Sequence, residues 1–247
     1  APDIIDGGSG VDQAIVTSTG AGDTYVIAPY MAGGVTYAGI NAQSTAGVDV
    51  STTNVEEIVL HAGAGADTIL IQGDLSTAGV AQHTVTVYGG DGDDVIDGSG
   101  LAGSPPVDLA LYGEGGNDTL TGGGNNDIID GGAGNDNLQG GEGVDTIYGG
   151  DGNDLISLQP NNNVNTGVGE FAYGGAGDDL IRGTSGGDYI DGGDGVDRVT
   201  YFFVNAGVNV DLNLQGAAQN TGGGGMDTLI GIENASGSQF NDTLIGD

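Results

Sequence analysis

Residues 113–157 read GEGGNDTLT, GGGNNDIID, GGAGNDNLQ, GGEGVDTIY, GGDGNDLIS, five nonapeptides joined without a gap. Asp holds the sixth place of each, at Asp118, Asp127, Asp136, Asp145 and Asp154. An aliphatic holds the eighth, at Leu120, Ile129, Leu138, Ile147 and Ile156. The same period continues to either side. Downstream, GGAGDDLIR, GTSGGDYID and GGDGVDRVT supply Asp179, Asp188 and Asp197, and GGGGMDTLI and GSQFNDTLI supply Asp227 and Asp242. Upstream, GGDGDDVID supplies Asp94, the looser AGAGADTIL gives Asp67, and GGSGVDQAI keeps Asp12 but sets Ala14 where the aliphatic belongs. Self-similarity at a fixed short period is the signature of a solenoid.

Each place in the unit has a physical reason. Gly at places one, two and four lets the backbone turn tightly, with carbonyl oxygens converging on one spot. Places seven to nine form a short strand whose alternation turns the eighth residue inward and its neighbours outward. A turn plus three strand residues covers half a coil, so two nonapeptides close one coil. Units 18 residues apart then stack as parallel strands about 4.8 Å apart. That stacking sets the Asp of one unit beside the Asp two units on. The expectation is an all-β chain, a parallel β-roll or β-helix solenoid with no helix of any length.

Composition excludes several kinds of partner. The chain has 35 acidic residues against Arg182 and Arg198, a formal charge of −33. Nucleic acid and anionic membranes both need a basic surface, so neither is expected as a partner. No apolar run reaches the roughly 18 residues that span a bilayer. The absence of cysteine removes disulfides and thiolate metal sites, and leaves the redox compartment open.

Stacked carboxylates repel. At about 5 Å and an effective dielectric near 20, each like-charged neighbour costs roughly 3 kcal/mol. A hard divalent cation between adjacent turns reverses that sign. Paired Asp carboxylates and Gly-turn carbonyls make an all-oxygen shell, which suits Ca²⁺ better than the smaller, strictly octahedral Mg²⁺. Zinc and copper lack their His or Cys ligands. The sequence therefore calls for several Ca²⁺ ions.

The GGxGxDxUx run resembles the RTX (repeats-in-toxin) calcium-binding repeats, and the order DGVDRVTY, GVNVDLNL, GGGGMDTLIGIENASGSQFNDTLIGD from residue 192 onward resembles an RTX-associated module. The resemblance is strong over residues 89–200 and 222–247 and patchy over the first 88. It implies a right-handed parallel β-roll in a secreted bacterial protein, exported by type I machinery and folded by extracellular calcium. It also implies that carbonyls one and three of one turn, carbonyls two and four of the stacked turn, and both Asp residues hold each ion. One such site would join Gly131, Ala133 and Asp136 to Gly150, Gly152 and Asp154. Another would join Gly122, Gly124 and Asp127 to Gly141, Gly143 and Asp145. Asp118 with Asp136, and Asp179 with Asp197, give further pairs, and Asp94, Asp188, Asp227 and Asp242 complete the carboxylate set. Glu114 replaces the second Gly of its turn, and Thr184 and Ser185 interrupt the turn of Asp188, so altered geometry is expected at both.

Three regions follow from this reading: a degenerate β-helix-like cap over residues 1–88, the roll over 89–200 with loops near 99–112 and 158–173, and an RTX-associated β module over 201–247. Residues 208–214 read as a strand. Tyr88, Tyr112, Tyr148 and Tyr173 each precede a glycine turn and should face outward, and Tyr112 and Tyr148 are the candidates for contact with a polysaccharide. His61 and His83 stand alone, and the acids of place three (Asp91, Glu142, Asp151 and Asp194) are expected to be solvated. Nothing resembles HExxH or GxSxG, so no catalysis is expected within these residues. The start at Ala1-Pro2 and the end inside a repeat suggest a piece of a longer secreted protein. Its role is either a structural and adhesive scaffold at the cell surface, or a polysaccharide-binding or export-assisting region of a larger secreted enzyme.

Overall fold

The computed structural model describes residues 3–6, 13–18, 22–32, 35–42, 49–53, 57–75, 84–102, 107–158 and 169–246. Within them the chain is a parallel β-roll: a 12-stranded and a 10-stranded sheet, with a 2-stranded sheet near the C-terminus. Through the repeats the chain crosses from one large sheet to the other at each turn. Strands Thr119–Thr121, Asn137–Gln139, Leu155–Ser157, Leu180–Arg182 and Arg198–Thr200 lie side by side in the larger sheet. Strands Ile128–Ala133, Thr146–Asp151, Phe171–Ala176 and Tyr189–Asp194 do so in the smaller one.

Register follows the repeat. Leu120 pairs with Leu138, and Ile129 with Ile147. The eighth-place residues Leu120, Ile129, Leu138, Ile147, Ile156, Ile181, Ile190 and Val199 are all fully buried between the sheets. Each burial is worth about 2–3 kcal/mol, and each fixes register, since a slip of one residue would turn the aliphatic row outward.

Longer coils interrupt this order without disturbing it. Thr146 pairs with Phe171 and Leu155 with Leu180, so the seven residues beyond an ordinary coil fall between Leu158 and Gly169. Residues 159–168 of the expected loop lie outside the described residues, but 171–173 are strand. The expected loop at 99–112 needs a larger correction. Most of it is strand, in Val95–Ala102 and Asp108–Gly115, because its alternating residues continue both sheets. Pro105–Pro106 lie outside the described residues.

The first region is also more than degenerate rungs. Strands Thr24–Ala32, Val35–Ala42 and Asp49–Thr53 form an antiparallel meander on the end of the larger sheet. Antiparallel neighbours need only a short turn, whereas each parallel neighbour needs a crossover through the other sheet. At the other end, Gly225–Ile230 and Asn234–Ser236 continue both large sheets. The expected strand at 208–214 is shorter, Asn209–Asp211, followed by a 3-10 turn Leu212–Leu214 whose Asn213 N donates to Asp211 Oδ1.

Candidate metal centre

The sixth-place carboxylates form two columns, one on each edge of the roll. On the first edge the chain passes from the smaller to the larger sheet, and each Asp amide donates to the Oδ1 of the Asp one coil on. Asp67 donates to Asp94, Asp94 to Asp118, Asp118 to Asp136, Asp136 to Asp154, Asp154 to Asp179 and Asp179 to Asp197, at 2.7–2.8 Å. On the second edge Asp127 donates to Asp145 in the same way. The stacking of each Asp on the one two units away is thus present, and its vehicle is a main-chain N–H.

That bond occupies one oxygen of each carboxylate. The other, Oδ2, is buried and receives no hydrogen bond at Asp67, Asp94, Asp118, Asp136, Asp145, Asp154, Asp179 and Asp197. Burial is the main reason these groups sit above the ordinary carboxylate range. Asp94 and Asp179 are pushed up to about 6, Asp118 and Asp154 to about 7, and Asp145 to about 8. Neighbouring carboxylates add to the rise at each. A buried anion without a partner is costly.

What faces Oδ2 is another acceptor. A Cβ placed on Gly131 would run into Asp136 Oδ2 and into the carbonyl of Gly149, the first place of the next coil. The same pair of obstacles recurs at Gly89, Gly113, Gly149, Gly174 and Gly192. The first-place glycine therefore leaves a cradle in which a carboxylate oxygen and a carbonyl oxygen approach each other with no donor between them. A cation between them satisfies both. No cluster of three or more His, Cys, Asp or Glu exists among the described residues, so the remaining ligands would be main-chain oxygens. That is a hard-ion shell, and it fits Ca²⁺. Bound there, Ca²⁺ would supply charge compensation to the column.

The residues expected at the sites are placed as follows. Gly150 and Gly152 stack directly over the carbonyls of Gly132 and Gly134, and Gly141 and Gly143 over those of Gly123 and Asn125. The Ala133 carbonyl already accepts from Gly116 N at 2.8 Å. Gly122 lies beside Asp127 Oδ2 and the Gly140 carbonyl, while Gly124 stands in open space. Asp127 accepts from Leu109 N and Gly123 N, using both oxygens. Asp188 accepts from Thr184 N and the Thr184 hydroxyl, the altered geometry expected of that turn. Asp227 accepts from Asp188 N, Tyr201 and Thr221. Asp242 belongs to neither column; it accepts from Val208 N and Ser238, which hold its carboxyl below the usual range.

Glu114, the other irregular place, has φ 72°, the one non-glycine in the left-handed region among the described residues.

Sequence reasoning missed two column members. Glu170 accepts from Asp145 N, and Glu233 accepts from Asp197 N, each standing where the repeat would put Asp. It also missed a ladder in place five: Asn117 Oδ1 accepts from Asn135 N, Asn135 Oδ1 from Asn153 N, and Asn153 Oδ1 from Asp178 N.

The outward tyrosines stack. His61, Tyr88 and Tyr112 lie face to face at 4.5 and 4.8 Å, and Tyr148 and Tyr173 at 5.0 Å. His61, isolated in sequence, thus joins an aromatic row; His83 lies outside the described residues. Asp130 parts the row, in register with Tyr112 on one side and Tyr148 on the other. Asp91, Glu142, Asp151 and Asp194 are exposed. No helix among the described residues is long and apolar enough to cross a membrane.

A family model of the RTX calcium-binding nonapeptide repeat matches the chain in 4 copies, over residues 85–101, 110–138, 130–164 and 169–200. No curated protein matches the chain.

Proposed function

Because residues 85–200 belong to the RTX calcium-binding nonapeptide repeat family, we propose that this calcium-binding β-roll is a calcium-folded, non-catalytic module of a secreted bacterial protein, serving as a structural and adhesive scaffold. One observation carries the calcium-folded part: eight buried Asp oxygens face carbonyls or closed backbone with no donor, in a chain of charge −33. Folding without cations would bury that charge uncompensated, so metal binding and folding are one equilibrium. Several ions bind cooperatively, since each interior Asp borders two gaps. Affinities around 10⁻⁴–10⁻³ M suit an extracellular module. The secreted location and type I export rest on the repeats alone.

Circular dichroism of the full chain during a calcium titration tests the proposal. The expected result is a largely unfolded chain in chelator and a steep rise of β signal as calcium is added. A full β signal in chelator at neutral pH would refute it.

A second reading, in which the chain is the polysaccharide-binding or export-assisting part of a larger secreted enzyme, is favoured by the break in the aromatic row. The stacked tyrosines cover one another's faces, but Tyr112 and Tyr148 each turn one side toward Asp130, offering two ring edges and a carboxylate to a sugar. Retardation in neutral and acidic polysaccharide gels, lost in Tyr112→Ala and Tyr148→Ala, distinguishes this reading from the scaffold alone.

A further inference from the structure

The repeat letters are the same on both edges of the roll, but the edges are built differently. Six turns of the first edge share one length: the first place and the Asp are five residues apart at Gly89 and Asp94, Gly113 and Asp118, Gly131 and Asp136, Gly149 and Asp154, Gly174 and Asp179, Gly192 and Asp197. Each of these six aspartates keeps an Oδ2 without a donor. The insertions between strands fall on the second edge, whereas on the first edge only the last turn departs, Ile230 to Asn234 being four residues where Asp191 to Arg198 is seven. The extra residues lie between Asp74 and Thr84, Ala102 and Asp108, Ser157 and Phe171, and Thr200 and Gly225.

Much of the second edge closes itself with protein atoms, Asp145 excepted, whose Oδ2 has no donor and lies with the Leu158 carbonyl in the cradle at Gly140. Above Asp127, register puts Leu109 and then Val85 at the sixth place, both buried and apolar. Asp127 and Asp188 have both oxygens bonded. The last gap, between the turns of Asp188 and Asp227, is filled by Tyr201, which is fully buried. Its hydroxyl donates to Asp227 Oδ2 at 2.6 Å, and the Thr221 hydroxyl donates to the same oxygen at 2.7 Å. Its ring covers both Gly183, the first place of the Asp188 turn, and Gly224, lying 2.7 Å from where a Cβ on either would sit. At Gly131 that position is bounded by a carboxylate and a carbonyl; at Gly183 it is bounded by a phenol.

We infer that one gap of the second edge is closed to metal: the ions collect along the edge from Asp94 to Asp197 and beside Asp145, while Tyr201, with Thr184 and Thr221, stands where an ion would and keeps the Asp188–Asp227 gap metal-free. This rests on the calcium reading above and narrows it. The division has a physical logic. A hydroxyl donor satisfies a carboxylate oxygen at a turn whose geometry an insertion has changed, whereas an ion needs several oxygens held at fixed distances. Apolar residues and hydroxyl donors therefore mark the turns of the second edge that do not depend on ion geometry.

Native mass spectrometry of the full chain at saturating calcium, with β signal checked by circular dichroism, counts the ions. Asp154→Asn is expected to lose one or two ions relative to wild type, since Asp154 borders two gaps. Asp227→Asn and Tyr201→Phe are expected to keep the wild-type count. Loss of an ion from either folded variant, or a full count in Asp154→Asn, overturns this arrangement. If Asp227→Asn fails to gain β signal, Tyr201→Phe, which keeps the ring and both carboxylates, decides the matter. A wild-type chain that binds no calcium is the separate outcome that defeats the calcium reading itself, and it is seen before any variant is made.

Discussion

Acid should partly replace calcium. The perturbation is a shift from pH 8 to pH 5 in excess chelator. Burial, the largest cause, pushes Asp145 up from 3.8 to about 8, and Asp127 and Asp227 to about 7. The folded chain therefore holds protons that the unfolded chain has released, throughout the window from about pH 4 to about pH 8. The stability these groups contribute is present below the unfolded carboxylate pKa and is lost as pH rises through the folded values. At about 1.4 kcal/mol per unit, ionising Asp145 in the metal-free fold costs roughly 6 kcal/mol, and the other two about 4 each. Halved for relaxation and water entry, the three still amount to roughly 7 kcal/mol, comparable to the whole stability of an ordinary domain, about 5–15 kcal/mol. The metal-free roll should be unfolded at pH 8 and recover β signal toward pH 5. The assay is circular dichroism in chelator across that range, with sedimentation to exclude aggregation near the isoelectric point of about 4.1. A β signal that is flat with pH, or that falls on acidification while the chain stays monomeric, refutes the reasoning. In calcium the sign reverses: protons compete with the ion, and the calcium midpoint rises as pH falls.

Gly131→Ala should fill the cradle between Asp136 Oδ2 and the Gly149 carbonyl, losing one ion by native mass spectrometry and raising the calcium midpoint several-fold, whereas Gly124→Ala, with open space around it, should change neither. Glu114→Gly relieves a left-handed backbone that costs an L-residue about 1–2 kcal/mol, less the entropy glycine returns to the unfolded chain; a gain of about 1 kcal/mol is expected in urea unfolding with calcium present. Asn135→Ala removes the Oδ1 that accepts from Asn153 N and the Nδ2 that donates to Asn117 Oδ1, and should cost about 1 kcal/mol in the same assay, these bonds being exposed. Ile147→Ala, by contrast, opens a cavity in a fully buried row and should cost about 2–5 kcal/mol.

The roll itself was legible because its two determinants are written in single letters at fixed spacing: Asp at six for the turn, Ile or Leu at eight for the core. Glu170 was obscured by the residues before it and by its identity, although a signal existed. Glu170-Phe171-Ala172-Tyr173-Gly174-Gly175 repeats the pattern of Asp145-Thr146-Ile147-Tyr148-Gly149-Gly150, and the Tyr-Gly-Gly end restores the frame. Glu233 has no such flank. The place-five ladder could have been read from the recurrence of Asn117, Asn135 and Asn153. The antiparallel meander could not, since alternation of apolar residues is the same in parallel and antiparallel strands and only the connection distinguishes them. Nor could the different fates of the carboxylates: Asp127 and Asp136 sit in nearly identical letters, and what separates them is a Gly123 amide turned inward at one and not at the other.

The interruption at 159–168 explains why such a chain tolerates insertions at all. The step from Asp154 to Asp179 is 25 residues, and so is the step from Asp145 to Glu170. An insertion at one corner of a coil lengthens the path on both edges equally, because every later residue is displaced along the chain by the same amount. Register across the break is therefore preserved in both sheets at once: Ile147 meets Ala172 and Ile156 meets Ile181, all four buried. The constraint an insertion must respect is local. It must begin and end at one corner, and that corner must tolerate losing its own turn. A corner that holds an ion can do so only where the carbonyls fixed by the metal stay in place; a corner closed by a hydroxyl or an aliphatic carries no such demand. The insertion after Leu158 meets that demand, since the Leu158 carbonyl stays beside Asp145 Oδ2 and the added residues follow it.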